Sequence, residues 1–498
     1  MIRSSIAALL LGTLTAIAAP TPESTDPKPG GGEGREGRKN RGEPQGTSRG
    51  HGSTVFDTAV PEHPADLVLG RPTGTSITAS VLAHQDSEAT LAYGVNPGPF
   101  TGTTQKWAFR AGHPVEIPIT GLKPDTGYHF ELRLRKADGT QTLLPGRFQT
   151  ARPTGRPFTF VVQADPHLDE NTIPARYTQS LHNMVSDEPD FLIDLGDTFM
   201  TDKYRGAYEL AEKHYLAQRH YLGIPGANAA VFLVLGNHDG ERGTGSRREE
   251  EGLWSNRTRK KYFPNPVPDA FYSGNATPHP KVGLLQDYAA WHWGDALFVT
   301  LDPFWFTGGD GRHDHNLWTR SLGRAQYDWL QRTLESSRAR YKLVFIHHLV
   351  GGASPDARGG AEAAPFFEWG GKNADGTEAF HSERPGWPTP IHQLLVKHGV
   401  QMVFHGHDHL YAHQERDGIV YQCVPQPGNR GDGAPPRNAA EYSYASGTLL
   451  GSPGYLRVHV TPDSLKTELV RSYEPAAQSS KNVNHAVAHS YSIPFKRP

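Results

Sequence analysis

The stretch FHGHDHLY, Phe404 to Tyr411, packs His405, His407, Asp408 and His409 into five positions, directly after the apolar run VQMVF. Imidazole nitrogens and carboxylate oxygens at that density are donors for a transition-metal ion. One such cluster needs partners elsewhere in the chain. Four places supply the same donor types: Asp165 with His167, Asp197 after Gly196, the run Gly236-Asn237-His238-Asp239, and the pair His347-His348. Asp165 and His167 stand two apart, so both can reach one cation only where an extended strand has already turned into a loop. His407 and His409 repeat that spacing, and Gly406 between the clusters allows a close backbone approach. A carboxylate can bridge two cations, and Asp197 is the natural candidate. The mixed oxygen and imidazole set suits Zn, Mn or Fe better than Ca or Mg alone. Cys423 is the sole cysteine of the 498 residues, which rules out an internal disulfide and a multi-thiolate metal site.

Donors so far apart in the chain must be gathered by regular elements. Each group follows an apolar run of strand length: FTFVVQ before Asp165, FLIDL before Gly196-Asp197, AVFLVL before Gly236, YKLVFI before His347, and QMVF before the opening cluster. Between some of these lie helical patterns, PARYTQSLHNMVSDE, AQYDWLQRTLESSR and PIHQLLVKHG. Strand and helix in alternation make an α/β sheet, and the ligand crevice of such sheets lies outside converging strand ends.

The blocks DPH, GD, GNHD, a later His after a strand, and GHDH, in this order, resemble the calcineurin-like metallophosphoesterases. The resemblance implies a two-sheet αββα catalytic domain. It implies one metal on Asp165, His167, Asp197 and His409, and a second on Asp197, Asn237, His347 and His407. It prefers His347 to His348 as ligand, with His348 shaping the pocket. It makes His238 the non-ligand histidine that contacts phosphoryl oxygens and protonates the leaving group, with Asp239 holding its ring. Asp408 is expected to orient ligating imidazoles or to face solvent, and His405 carries no assigned role.

In front of this region the grammar differs. MIRSSIAALLLGTLTAIAAP has Arg3, an apolar stretch and a small-residue pattern, and reads as a secretory signal cleaved near Ala18 or Ala19. The expected location is therefore secreted or periplasmic, with no stable membrane anchor. Residues 20–55, rich in Pro, Gly and charge, read as a disordered linker. Residues 56–151 carry short alternating strands, and Asp138-Gly139 marks a hairpin. ITGLKPDTGYHFEL resembles the fibronectin type III pattern, which makes Tyr128 a structural corner residue, and a β-sandwich before the catalytic domain resembles the architecture of purple acid phosphatases. That subgroup expects glycine where His167 stands, and a tyrosine ligand where GDTFM offers Met200. The catalytic domain is assigned to residues 152–475 and a tail to 476–498.

A formal net charge of -2 disfavours nucleic acid as a partner. The loop GGDGRHDHNLW, with His313 and His315, reads as lying near the substrate, and ERGTGSRREEEGLW as a solvated loop. AWHWGDALFVT reads as a core hairpin and Phe304 to Phe306 as a pocket rim. The sequence thus points to an exported enzyme with two divalent or trivalent metal ions (Zn, Mn or Fe). It would hydrolyse small phosphate esters by metal-activated hydroxide, preferentially monoesters. Phosphodiesters of nucleotides or glycerol are the alternative substrate class. A secreted binding protein with an inert metal domain is the alternative function, and nothing in the sequence sets an oligomeric state.

Overall fold

Strand Phe158–Gln163 shows how the catalytic core is built, because its side chains alternate between two apolar layers. Phe158, Phe160 and Val162 face a core shared with a second sheet, while Val161 belongs to a separate cluster under helices. The computed structural model describes residues 55–243, 248–308, 316–434 and 439–495. Within the described residues, one sheet has six strands, in the order Ala230–Leu233, Phe191–Asp194, Phe158–Gln163, Tyr455–Val460, Ser464–Val470 and Val487–Pro494. The first three are parallel, and the rest are added antiparallel.

Among the described residues, the facing sheet has eight strands. Ala289–Trp293 and Ala296–Thr300 form the expected hairpin, and Tyr341–Phe345, Met402–His405 and Ile419–Cys423 continue in parallel from its second strand. Aromatic side chains fill the space between the sheets. The Phe232 and Trp291 rings stack at 4.1 Å, those of Phe345 and Phe404 at 4.7 Å, and Phe160 meets Phe298 edge-on at 5.1 Å. Helices Pro174–Ser186 and Tyr208–Gly226 cover the outer face of the first sheet through Tyr177, Leu181, Tyr215 and Leu222. Arg324–Ser336 and Ile391–Lys397 cover the second through Tyr327, Leu330, Ile391 and Leu394. The result is the αββα layering.

The last segment, expected to be a tail, is instead the edge strand Val487–Pro494 of the six-stranded sheet. Its half-exposed alternation gives little apolar signal, which is usual for an edge. ERGTGSRREEEGLW, expected to be a solvated loop, leads into helix Glu249–Tyr262, and Glu241 at its start is buried in an ion pair with Arg259. His313 and His315 lie outside the described residues.

The N-terminal part is a β-sandwich. Ala65–Gly70, Ser76–Ala83 and Val115–Thr120 form one antiparallel sheet. Ser87–Val95, Gly127–Lys136 and Gln141–Gln149 form the body of the other, flanked by Gly102–Thr103 and Trp107–Phe109. At its corner the Tyr128 hydroxyl accepts the Lys123 N–H at 2.9 Å. Sandwich and catalytic layers belong to one compact unit, Thr54–Pro498.

Candidate metal centre

The donors that the sequence scatters meet at the C-terminal ends of the parallel strands. Asp165 follows Phe158–Gln163, Asp197 follows Phe191–Asp194, Asn237 and His238 follow Ala230–Leu233, and His347 follows Tyr341–Phe345. His407 and His409 follow Met402–His405. To turn at once from strand into site, Asp165, Asp197, His407 and His409 all adopt left-handed backbone, with φ of 59°, 55°, 72° and 53°. Each such non-glycine residue costs on the order of 1–3 kcal/mol, so the surrounding hydrogen bonds must hold it. The Asp165 carboxylate accepts the His407 N–H at 2.8 Å, and the Asp197 carboxylate accepts the His238 N–H at 2.6 Å. Asp239 accepts from the backbone of Thr198, Phe199 and Gly236 at 2.7–2.8 Å, and from Asp197 at 3.2 Å.

Two groups of donors result. Asp165, His167 and His409 have ligand-type atoms within 4.8 Å of one another, and so do Asp197, His347 and His407. The Asp197 carboxylate stands between the groups: its Oδ2 lies 3.3 Å from His347 Nε2 and 3.8 Å from His167 Nε2. Asn237 Oδ1 is 3.0 Å from His347 Nε2. His348 is turned to the Leu349 carbonyl instead, with its ring 5.2 Å from Phe304.

The donor set fits cations. His347 Nδ1 is 2.8 Å from the Leu195 carbonyl, which requires a proton there and leaves Nε2 facing the oxygens of Asp197 and Asn237. Burial alone would push the His347 pKa down, but the Asp197 charge draws it up to about 9. Asp165 is held well below the usual carboxylate range, because the neighbouring His409 and His167 outweigh its burial. Among the described residues, the buried atoms Asp165 Oδ1 and His167 Nε2 have no hydrogen-bond partner. Buried polar atoms in that state are expensive unless something else meets them. Space is reserved as well: a Cβ on Gly406 would sit 2.8 Å from Asp165 Oδ2, and one on Gly236 would sit 2.4 Å from Asp197 Oδ1.

Beside the two groups, His238 Nδ1 is 3.0 Å from both carboxylate oxygens of Asp202. The expectation that Asp239 holds this ring is therefore corrected, since the Asp239 carboxylate is taken up by backbone amides of the Asp197 loop. Asp202 lies in the short 3₁₀ turn Thr201–Tyr204, after the motif and in no recognisable pattern, so sequence reasoning missed it. Asp408 is buried rather than solvent-facing. It accepts from Gly359 N–H at 3.0 Å, Tyr444 hydroxyl at 2.6 Å and Arg358 at 3.1 Å, and Arg358 also donates to the His407 carbonyl. Asp408 and Arg358 thus brace the His407 turn.

Residues 158–411, just over half of the chain, match the family model of calcineurin-like phosphoesterases. The chain belongs to the calcineurin-like phosphoesterase family. It is accordingly a metal-dependent phosphoester hydrolase, and no curated protein sequence matches it. The solved structure of PhoD superposes with a TM-score of 0.59 at 14% identity, over 86% of this chain and 90% of that one. Purple acid phosphatase PPD1 from yellow lupin (Lupinus luteus) seeds gives 0.56 at 14% identity, over 86% and 74%. These likenesses extend the shared fold beyond the phosphoesterase core to most of the chain.

Proposed function

We propose that this phosphoesterase is an exported, dinuclear enzyme that prefers phosphomonoesters. The observation that carries the reading is the pair of three-donor groups with the Asp197 carboxylate between them and the His238–Asp202 pair beside them. Asp165, His167 and His409 would hold one cation, His347, His407 and Asn237 the other, and Asp197 both. Zn, Mn and Fe suit that set. Two such cations, when bound, polarise a phosphoryl group and make water a competent nucleophile.

The chain's own residues supply orientation and protons. Asp202 accepts from His238 Nδ1 and holds the ring in place, so that Nε2 faces the site as the group that would give a proton to the departing alkoxide. Asp239 fixes the loop bearing Asp197 from below. Cationic side chains stand around the centre: Arg242 donates to the Asn237 carbonyl, Arg248 Nη1 is 3.6 Å from Asp202, and Arg358 reaches the His407 carbonyl. Arg248 and Arg358 are already paired with Asp202 and Asp408, so the monoester preference rests on Arg242, half-buried beside Asn237, as the cation that would face a phosphoryl dianion. Export rests on the N-terminal sequence pattern. No described helix is long and apolar enough to cross a membrane.

The test compares p-nitrophenyl phosphate with bis-p-nitrophenyl phosphate on protein loaded with Mn or Zn. Faster turnover of the monoester is the expected result, and preference for the diester would redirect the assignment to nucleotides, glycerophosphodiesters or lipids. Cleavage of neither substrate by the fully loaded protein would leave the enzyme reading without support. Asp197→Asn should lose metal and activity together, by more than the roughly 100-fold that marks loss of an outer hydrogen-bond partner. Full activity in that variant would overturn the shared-carboxylate arrangement.

A further inference from the structure

A second collection of metal-type donors lies away from the phosphoesterase centre, where the β-sandwich meets helix Tyr208–Gly226. His63 precedes strand Ala65–Gly70, Asp66 is its second residue, His84 follows strand Ser76–Ala83, and His220 stands on the helix. His63, Asp66 and His220 present ligand-type atoms within 4.8 Å of one another. His63 Nε2 is 2.6 Å from Asp66 Oδ1 and 3.0 Å from His84 Nε2. His84 Nε2 is 3.2 Å from Asp66 Oδ2, and His220 Nδ1 is 3.9 Å from Asp66 Oδ1.

Two arguments turn this cluster into a site. The first is proton accounting. His63 Nδ1 lies 2.7 Å from the Pro61 carbonyl and must carry its hydrogen there, which directs the Nε2 lone pair of the neutral ring at Asp66 and His84. Protons alone can satisfy this only by charging a ring, with three imidazoles crowded on one carboxylate. A cation placed among them meets His63, Asp66 and His220 together, with His84 beside them, and a backbone carbonyl on the far ring nitrogen is the usual orienting partner of a metal-bound histidine. The second argument is size. A tetrahedron with Zn–N and Zn–O bonds of 2.0–2.1 Å has edges of about 3.3 Å. The separations from Asp66 Oδ1 to His63 Nε2 and to His220 Nδ1, 2.6 and 3.9 Å, bracket that edge, while His84 Nε2 reaches the other carboxylate oxygen at 3.2 Å and His63 Nε2 at 3.0 Å. The rings also splay around the carboxylate as separate ligands must, at 75° between His63 and His84 and 53° between His63 and His220.

Access and anchoring are both present. The Asp66 side chain is 3% exposed, while those of His63 and His220 are 18% and 20% exposed, so the floor is buried and the mouth open. The buried trio His405, Asp408 and Cys423 differs, because its carboxylate is already occupied by Gly359, Tyr444 and Arg358.

We propose that His63, Asp66, His84 and His220 bind a divalent transition-metal ion of their own, with Zn²⁺ the best match, and that this ion clips the β-sandwich to helix Tyr208–Gly226.

The test counts zinc. The full chain is dialysed against Zn²⁺, and metal per chain is measured by elemental analysis for wild type, His63→Ala and His220→Ala. Each variant should hold one ion fewer than wild type while p-nitrophenyl phosphate turnover stays within about twofold. An unchanged count in folded variants would overturn the proposal. Wild-type crystals loaded with Zn²⁺ give an answer that does not depend on any variant folding. Anomalous scattering at the zinc edge should place a peak among His63, Asp66 and His220, and its absence from a zinc-loaded crystal would equally overturn the proposal.

Discussion

Asp202 and His238 show how little of a proton-transfer pair needs to be visible in a motif. His238 is legible because GNHD follows a strand, whereas its carboxylate partner comes from a turn thirty-odd residues earlier that no spacing rule reaches. The neighbouring Asp239 looks like the partner in sequence, but its carboxylate is taken up by the backbone amides of Phe199 and Gly236 at 2.7 Å. The two roles separate by experiment. His238→Ala should lower kcat by roughly 10²–10⁴-fold, the range of a general acid. Asp202→Asn keeps the shape but weakens the hold on the His238 ring, and a drop of roughly 10–100-fold in kcat with KM nearly unchanged is expected. Both are read from initial rates on p-nitrophenyl phosphate at matched metal content. If Asp202→Asn left kcat untouched, the pair would be structural only. Among the expected donors, the geometry groups Asp165, His167, Asp197, His347, His407 and His409 in the two clusters, with Asn237 adjoining. What the sequence hid was the left-handed backbone of Asp165, Asp197, His407 and His409, because φ is set by the crossing loops and not by the residue type.

At the scale of elements, legibility followed periodicity. The buried parallel strands read as apolar runs, and helix Arg324–Ser336 reads as an amphipathic stripe. Helix Tyr208–Gly226 does not, since His214, Gln218 and Arg219 are buried among its apolar residues and Pro225 lies near its end. It is covered on more than one side, so the polar–apolar contrast that marks a surface helix is lost. Where strand ends converge, small residues are required. In Gly406→Ala the new Cβ would lie 2.7 Å from the Ala164 Cβ and 2.8 Å from Asp165 Oδ2. Overpacking of that kind costs about 1–3 kcal/mol, and here it should also weaken metal binding, checked by urea denaturation and metal titration. Asp287, just before the hairpin's first strand, carries a different signature. Burial lifts Asp287 to about 6, although Asn275 donates to it. The folded state therefore binds more protons than the unfolded chain between the ordinary carboxylate value and that pH, so stability falls as pH rises through the window. Asp287→Asn should flatten the decline, which is up to about 3 kcal/mol for a shift of this size. Unfolding curves at pH 4.5, 5.5 and 6.5 would reveal it, and parallel profiles for the two proteins would contradict the assignment.

For the whole molecule, the question is whether the sandwich is an appendage or part of the fold that holds the site. The contacts argue for the second. Arg219, fully buried in helix Tyr208–Gly226, donates to the Ser80 carbonyl at 2.8 Å in the sandwich and to the Tyr262 carbonyl in the next helix. Burial lowers its pKa only to about 10, so it stays charged at neutral pH. Tyr272 hydroxyl donates to the Pro72 carbonyl, and a Cβ on Gly146 would strike the Ala227 carbonyl at 2.2 Å. On the other flank, Arg152 and Trp293 converge on Asp190 at 2.5–2.8 Å. A junction this closely packed and hydrogen-bonded should not come apart separately. Calorimetry of the wild type should show one unfolding transition that includes the sandwich. Arg219→Met fills the space but removes the guanidinium hydrogen bonds to the Ser80 and Tyr262 carbonyls, at about 1.5–3 kcal/mol for each hydrogen bond to a charged group. The expected outcome is a single transition moved to lower temperature. Because Gln218 on the same helix supports the Pro166 carbonyl, metal affinity should fall with it. Two well-separated transitions in the wild type, or an Arg219→Met variant that loses stability only in a sandwich transition while its metal affinity is kept, would mean that the sandwich merely rides on the enzyme.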